Sequence, residues 1–163
     1  MSEHARVFLR QPKYEDVDPL IRAYARSQSL HEPWTYPPND MFSYILEPYR
    51  YLLCLTSDEK VIGTFNLSGV IMGNFKSAYL GYEVFAPFQQ QGFMKEGLQL
   101  IIREAFHTLQ LHRLEANIQP GNTASIRLVE QAGFVKEGYS KNYLNIGGKG
   151  WKDHERWALL NEN

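Results

Sequence analysis

Residues 78–85 read AYLGYEVF and residues 87–95 read PFQQQGFMK, and this stretch decides the fold. The first part has the composition of a β-strand, and apolar residues then recur at helical spacing from Met94 to Leu109. Between strand and helix, Gly92 can adopt backbone angles that are closed to other residues, so successive amide N–H groups can converge on one point. With the positive end of the following helix, these amides predict an anion site suited to phosphate. The alternative is a tight turn whose amides bind only water.

Outward from this stretch, the pattern alternates between strands and helices along the whole chain. The predicted strands are Val7–Leu9, Tyr51–Thr56, Val61–Val70, Ala78–Phe85, Leu114–Ile118, Phe134–Tyr139 and Trp151–Leu160. The predicted helices are one ending near Ser27, a short one from Met41 capped by Asn39, one from Met94 to Leu109, and one from Asn122 to about Ala132. Residues 29–40, with three prolines, predict a structured loop.

Two consecutive hairpins within residues 51–85 predict an antiparallel meander, and the helix between residues 85 and 114 predicts one parallel strand pair. We therefore expect an α/β (α+β) fold in which helices flank a mixed, mostly antiparallel sheet. No repeat or linker interrupts residues 1–163, which predicts a single domain. Phe106 and Phe134 are predicted to lie in the core.

Composition narrows the function classes. The 17 Lys and Arg residues nearly balance 18 Asp and Glu residues, which argues against a nucleic-acid partner. No targeting or membrane-spanning pattern is present, so we expect a cytoplasmic protein without a membrane partner. The single cysteine, Cys54, lies in an apolar strand pattern and is predicted to be buried. No residue spacing indicates a metal site. Aromatic residues form 13% of the chain, more than a core of this size needs.

A series of short motifs occurs in a fixed order along the chain. They are Val7-Phe8-Leu9-Arg10, Pro33-Trp34, Gln89-x-x-Gly92, Arg113-Leu114-Glu115-Ala116, Asn122-x-x-Ser125, Gly133-Phe134, Glu137-Gly138 and Trp151-x-Asp153. In this order they resemble the GNAT superfamily of N-acetyltransferases, in its RimJ/RimL branch of ribosomal-protein-alanine N-acetyltransferases. The resemblance covers nearly the whole chain. It implies acetyl-CoA (coenzyme A) as cofactor and a central parallel strand pair that splays apart.

The resemblance also implies which residues hold the coenzyme. The amides of residues 91–94 would bind the pyrophosphate, and the pantetheine arm would lie along residues 83–86, where a backbone N–H of Val84 or Phe85 would stabilise the oxyanion. Met94 departs from the small residue usual at its position, which is tolerable if its side chain points away from the phosphates. The full set is Val84, Phe85, Ala86, Gln89, Gln90, Gln91, Gly92, Phe93, Met94, Lys95, Asn122 and Ser125.

For catalysis, Glu115 and Glu83 are the candidate general bases, and Glu115 ranks slightly higher because it matches its motif better. The alternative for either is a strand carboxylate paired with a cation such as Arg113. At Val129 many members of the superfamily carry a tyrosine that serves as general acid. Valine has no proton to give, so Ser125 or a water would protonate the leaving thiolate.

The implied reaction is direct attack of a primary amine on the acetyl group in a ternary complex. The acceptor would be a protein N-terminal α-amine, from a ribosomal or another protein. Its site would be lined by aromatic and histidine side chains, namely His31, Trp34, Tyr36, Tyr139 and Tyr143. Two alternatives stay open: a non-catalytic acyl-CoA sensor, and a small-molecule amine acetyltransferase using Glu32, Asp40 and Glu47. Monomer and homodimer are both compatible with the sequence.

Overall fold

The computed structural model describes residues 5–162 and contains one seven-stranded sheet. The strands are β1 (Val7–Arg10), β2 (Arg50–Leu55), β3 (Val61–Ile71), β4 (Ser77–Val84), β5 (Arg113–Ile118), β6 (Val135–Leu144) and β7 (Lys152–Leu160). Their order across the sheet is β1-β2-β3-β4-β5-β7-β6. β4 and β5 run parallel, whereas β1 with β2, β2 with β3, β5 with β7 and β6 with β7 are antiparallel. The predicted fold class is confirmed.

Within the described residues, five α-helices accompany the sheet: α1 (Val17–Arg26), α2 (Gln28–His31), α3 (Met41–Leu46), α4 (Phe93–Arg103) and α5 (Thr123–Gln131). None of the helices within residues 5–162 is long and apolar enough to cross a bilayer. The residues fall into two compact units, and each has buried apolar residues of its own. Unit 1 comprises residues 5–66 and 82–101, and unit 2 comprises residues 67–81 and 102–162. That the chain acts as one domain stays a prediction.

Four local features differ from the prediction. The loop expected at residues 29–40 begins with α2, a single helical turn too short to give a periodic signal. The cap of α3 is Asp40 rather than Asn39, because the helix begins at the next residue and the Asp40 carboxylate accepts the N–H of Phe42 at 3.1 Å. The helix predicted to reach Leu109 widens after α4 into a π-helical turn at Glu104–Thr108, although its apolar stripe continues. β6 extends to Leu144 through an irregular register that alternation cannot predict.

The predicted core residues are buried in their own units. In unit 1 the buried cluster joins α1 to β2 and the end of β4, and Cys54 lies inside it. Burial raises the pKa of the Cys54 thiol, as expected for an unreactive strand residue. In unit 2 both Phe106 and Phe134 are buried. The structure therefore confirms the assignment of these two rings to the core.

A salt bridge fixes the passage from β1 to α1. Both guanidinium nitrogens of Arg10 bond to the two carboxylate oxygens of Asp16 at 2.8 Å, and the backbone N–H of Lys13 donates to the same carboxylate at 2.6 Å. The hydrogen bond from Arg10 holds the pKa of Asp16 below its ordinary value, despite the burial of this residue. The acidic residues before α1 therefore connect the helix to the strand as well as begin it.

Gly97 marks the closest approach of α4 to the sheet of unit 1. A Cβ at this position would lie 2.7 Å from Cε2 of Phe65 and 2.9 Å from Cδ2 of Leu53, both in buried side chains. We expect Gly97→Ala to destabilise the protein by about 1–3 kcal/mol, because this overlap outweighs a gain in helix propensity of about 1 kcal/mol. Urea denaturation measures the change, and Gln99→Ala on the exposed face of α4 is the control. A Gly97→Ala protein as stable as the wild type would contradict this packing.

Candidate active site

The backbone at the end of β4 is bonded by side chains from α1, from Ser27 and from α2. The ring Nε2 of His31 lies 2.7 Å from the Val84 carbonyl. The N–H of Ala86 donates to Oγ of Ser27 at 2.9 Å, and its carbonyl accepts Nε of Arg26 at 2.7 Å. These contacts fix the position of residues 84–86, the segment predicted to hold the coenzyme arm.

The same contacts decide which backbone groups remain for a ligand. The Phe85 N–H donates to the Ile62 carbonyl on β3 at 2.8 Å, and it is therefore excluded as the oxyanion donor that the sequence allowed. Successive N–H groups of a strand point to opposite edges, so the N–H of Val84 points away from β3. Of the two predicted donors, only Val84 remains a candidate for this role. The N–H of Ala86 is likewise occupied, because Ser27 accepts it, and the predicted contact of Ala86 with the coenzyme stays a prediction.

Glu83 lies beside a buried group of hydroxyl side chains in unit 1. Its Oε1 accepts a hydrogen bond from Thr35 Oγ1 at 3.4 Å. Its Oε2 is buried without a hydrogen-bond partner, and so are the hydroxyl of Tyr44 and Oγ1 of Thr64. Burial raises the pKa of Glu83 to about 7, although hydrogen bonds from Tyr24 and Thr35 favour the charged form. The carboxyl therefore changes protonation state near neutral pH, which suits a general base.

The groups around Glu83 have well-defined protonation states of their own. Burial, with the nearby charge of Glu83, raises the pKa of Tyr24 well above its ordinary value and that of Tyr44 to about 12. Both phenols thus keep their protons at neutral pH, and each has an O–H available to donate. Burial lowers the pKa of His31, so its ring is neutral. Because a carbonyl only accepts hydrogen bonds, we assign the ring proton to Nε2, which faces Val84.

The loop between β4 and α4 has the geometry expected of an anion site. Gln90 and Gly92 have φ angles of 60° and 80°, in the left-handed region that favours glycine. The side-chain amide of Gln91 donates to the Pro87 carbonyl at 2.8 Å and closes the loop. The N–H of Glu96 bonds to the Gly92 carbonyl at 3.2 Å. The amides of residues 93–95 precede this bond and lie at the positive end of α4.

The side chain of Met94 leaves this loop clear. A Cβ built at Gly63 on β3 would lie 3.3 Å from Sδ of Met94, so the thioether packs against β3. Nearby, Gln89 buries its Oε1 without a hydrogen-bond partner, whereas Gln90 and Lys95 are exposed. Backbone amides and one helix end are therefore the main groups that this loop would offer to an anion.

In unit 2, the predicted site residues have local partners. Asn122 caps α5, where its Oδ1 accepts the N–H of Ser125 at 3.4 Å. Val129 is completely buried, which leaves only an apolar side chain at the position of the missing tyrosine. Glu115 forms an ion pair with Arg113 at 2.7 Å, and Arg113 also bonds to Glu137. Glu115 thus has the cationic partner that the sequence allowed as its alternative role.

The five predicted acceptor residues occupy different environments. In unit 1, Trp34 and Tyr36 are half-buried on the segment after α2. His31 is only 6% exposed and its ring packs against Tyr24 and Phe85, so its side chain lies in the core rather than on an open surface.

In unit 2, Tyr139 is 49% exposed and donates its hydroxyl to Asp153 at 2.6 Å. The ring of Tyr143 lies against that of His154. The acceptor roles of all five residues stay predictions.

Sequence reasoning did not identify several polar residues near Glu83 and the loop. Tyr24 occupies an apolar position of the α1 pattern, and Thr64 lies in the β-rich pattern of β3. Such positions predict core side chains and give no signal for a polar cluster. Arg6 lies before β1, far from the loop in sequence, yet its guanidinium bonds to the Gln91 carbonyl at 3.0 Å. Only the fold brings these residues together.

Comparisons with known proteins identify a family for this chain. Residues 6–135 match the family described as acetyltransferase (GNAT) domain. An Escherichia coli (strain K12) ribosomal protein uS5-alanine N-acetyltransferase is 45% identical over 170 aligned positions, which cover 94% of this chain and 87% of that protein. A Bacillus subtilis (strain 168) protein named probable N-acetyltransferase YjcK is 39% identical over 115 residues, covering 71% of this chain and 63% of that protein.

A solved structure extends the likeness to three dimensions. Mycobacterium smegmatis RimJ in complex with CoA-disulfide superimposes with a TM-score of 0.84 at 26% sequence identity. The superposition covers 96% of this chain and 82% of that chain. The likeness thus extends over nearly all of the present chain.

Proposed function

The chain belongs to the acetyltransferase (GNAT) domain family and is an N-acetyltransferase, and we propose that it transfers acetyl from acetyl-CoA to the N-terminal α-amine of a protein. The uS5-alanine N-acetyltransferase of E. coli supports an N-terminal alanine as acceptor, because it is 45% identical to this chain. RimJ with bound CoA-disulfide supports coenzyme A as the acyl carrier.

The observation that carries the choice of acceptor is the buried carboxyl of Glu83, with its pKa of about 7. An α-ammonium group has a pKa of about 7.7–8.0, so giving its proton to this carboxylate costs only about 1 kcal/mol. A lysine ammonium, with a pKa of about 10.4, would pay about 4–5 kcal/mol for the same transfer. The base at Glu83 is therefore matched to an α-amine.

We place Glu83 ahead of Glu115 as the general base. Glu83 keeps one carboxylate oxygen without a partner, and the phenol of Tyr24 and the hydroxyl of Thr35 orient the carboxyl. Glu115 instead shares the guanidinium of Arg113 with Glu137. A carboxylate that is already bonded to a cation is less available to an incoming amine.

Two groups of the chain would meet the charges that develop during the reaction. The N–H of Val84, on the edge away from β3, would donate to the thioester oxygen as negative charge builds there. The thiol of the coenzyme, with a pKa of about 8.5 like a free cysteine, leaves readily as thiolate. Ser125 or a water is the proposed proton source for that thiolate, because Val129 has none. No covalent acyl-enzyme is needed.

The phosphates of the coenzyme would bind at the loop before α4. Its left-handed residues and the amides at the start of α4 fit an anion without a cluster of lysines. Asn122 would contact the arm of the coenzyme while it caps α5, since its amide nitrogen is not used by the cap. Backbone amides rather than lysines would thus bind the phosphates, so a nearly neutral chain could hold a highly charged coenzyme.

The proposal predicts acetylation of the α-amine of a peptide that begins with alanine. Mass spectrometry should find one acetyl group on the N-terminus in the presence of acetyl-CoA. A peptide of the same sequence with a blocked N-terminus and a free lysine should remain unmodified. Gly92→Asp is the matched loss-of-binding variant. It adds bulk and negative charge to the loop between β4 and α4 (residues 85–92, here called the anion loop) at a residue with φ 80°.

The same assay separates the alternatives. Binding of the coenzyme without product on peptides or amines would indicate a sensor. Acetylation of spermidine but not of peptides would indicate a small-molecule enzyme. Either result would contradict the proposed acceptor.

Glu83→Gln tests the general base through the pH dependence of the reaction. The carboxyl becomes protonated as the pH falls through about 7, so kcat/KM of the wild type should decrease below that pH. Glu83→Gln should reduce kcat/KM at pH 8 by about 10²–10³-fold and remove the decrease near pH 7, leaving only the titration of the acceptor amine. Stopped assays of thiol release between pH 5.5 and 9 measure both effects.

Glu115→Gln provides the chemically matched comparison on β5. Its effect on kcat/KM should be smaller than that of Glu83→Gln, and the decrease near pH 7 should persist. The reverse order of the two variants would identify Glu115 as the base and contradict our assignment. Equal affinity for coenzyme A in both variants, measured by calorimetry, verifies that the loss concerns proton transfer.

A further inference from the structure

Arg6 connects the segment before β1 to the anion loop of unit 1. Its guanidinium forms an ion pair with Glu96 in the first turn of α4, with Nε 2.6 Å from the carboxylate. It donates to the Gln91 carbonyl at 3.0 Å and lies over the ring of Phe93, 4.4 Å from the centroid. Its Nη2 would also be 3.2 Å from a Cβ at Gly92. One side chain thus contacts three residues of the loop and helix start and lies beside Gly92.

The ion pair with Arg6 offsets the negative charge of Glu96 at the N-terminal end of α4. The carboxylate of Glu96 lies in the first turn of α4, where a negative charge favours the helix but repels a bound phosphate. Arg6 neutralises this carboxylate within hydrogen-bond distance. The two side chains are 48% and 36% exposed, so the pair contributes little to folding stability. The main effect of the ion pair is therefore on the net charge beside the loop, where a ligand would bind.

The second contact sets the direction of a peptide group. In the planar peptide that joins Gln91 to Gly92, the carbonyl and the N–H point in opposite directions. Because Arg6 binds the Gln91 carbonyl, the negative end of this peptide is held towards the guanidinium. The Gly92 N–H is consequently turned to the other side, and a φ of 80° at Gly92 is compatible with that turn.

We infer that Arg6 is a positioning residue for the acyl-coenzyme: it cancels the charge of Glu96 and orients the Gln91–Gly92 peptide so that the loop accepts phosphates. The inference rests on the proposed binding of acetyl-CoA at this loop. Arg6 acts on the loop and not on the reacting atoms, so it affects coenzyme affinity and not the chemical step.

A double-mutant cycle on the full chain tests this role. Calorimetry with coenzyme A should show Kd raised about fivefold in Arg6→Gln, the effect expected of one uncompensated charge a few ångströms away in water. Glu96→Gln should bind at least as tightly as the wild type. Arg6→Gln/Glu96→Gln should bind more tightly than Arg6→Gln, since the charge that Arg6 cancels is then gone. It should still bind more weakly than Glu96→Gln, because the bond from Arg6 to the Gln91 carbonyl is missing.

Three further readouts distinguish positioning from a general loss of structure. KM for acetyl-CoA should rise in Arg6→Gln while kcat at saturating coenzyme stays unchanged. The defect should shrink at 0.5 M salt, which screens the exposed Glu96 charge. Arg103→Gln is the matched control, because this exposed arginine lies at the far end of the same helix, about 15 Å from its start. It should leave Kd unchanged.

The outcomes separate this inference from the proposed function. If the wild type does not bind coenzyme A, the proposed function fails and the inference fails with it. If the wild type binds and Arg6→Gln binds equally well, only the inference is overturned. A double variant as weak as Arg6→Gln would also overturn it, because the effect of Arg6 would then not pass through the charge of Glu96.

Discussion

The hydrogen bonds that fasten residues 84–86 are the constraint on which the rest of the candidate site depends. His31, Ser27 and Arg26 bond to the Val84 carbonyl and to both backbone groups of Ala86. This fixes where β4 ends, where the anion loop begins and which face Glu83 presents. Alternation along the strand places Glu83 on the same face as Phe85, whose ring packs against Tyr24 in the core of unit 1. The same hydrogen bonds to residues 84–86 therefore determine both the position and the burial of the Glu83 carboxyl.

Burial of Glu83 lowers the stability of the folded protein and also raises the pKa of the carboxyl. A pKa of about 7 means that the folded protein binds this proton more tightly than the unfolded chain does. The burial of Glu83 therefore lowers the free energy of unfolding least at low pH, where the carboxyl is protonated. Above the folded pKa the buried charge costs about 3–4 kcal/mol, a large share of the stability of an ordinary domain. This cost is what remains after the hydrogen bonds from Tyr24 and Thr35, which favour the charged form. An acceptor amine would meet a base whose proton affinity is close to its own.

How much was predictable depends on the range of the interactions involved. Strand and helix periodicity, with Gly92 between β4 and α4, is local, and it predicted most of the strands and helices and the parallel strand pair. It also placed the candidate anion loop between β4 and α4. The partner of Glu115 was also within reach, because Arg113 lies two residues away on the same face of β5. The buried environment of Glu83 could not be predicted in this way, since it results from residues on α1, α3 and β3 that occupy apolar positions of the sequence pattern. The contact of Arg6 with residues 91–96 likewise joins segments more than 80 positions apart.

A titration of the Glu83 carboxyl carbon by ¹³C NMR shows whether this group changes protonation state near neutral pH. Glu83→Gln identifies the resonance by its absence, and the wild-type signal is followed from pH 4 to pH 9. The account predicts a single transition with a midpoint near pH 7 for this carbon, well above an ordinary glutamate at about 4.3. A midpoint near that ordinary value would contradict it. Glu83 would then be a solvated carboxylate with no advantage over the other acidic residues of the chain.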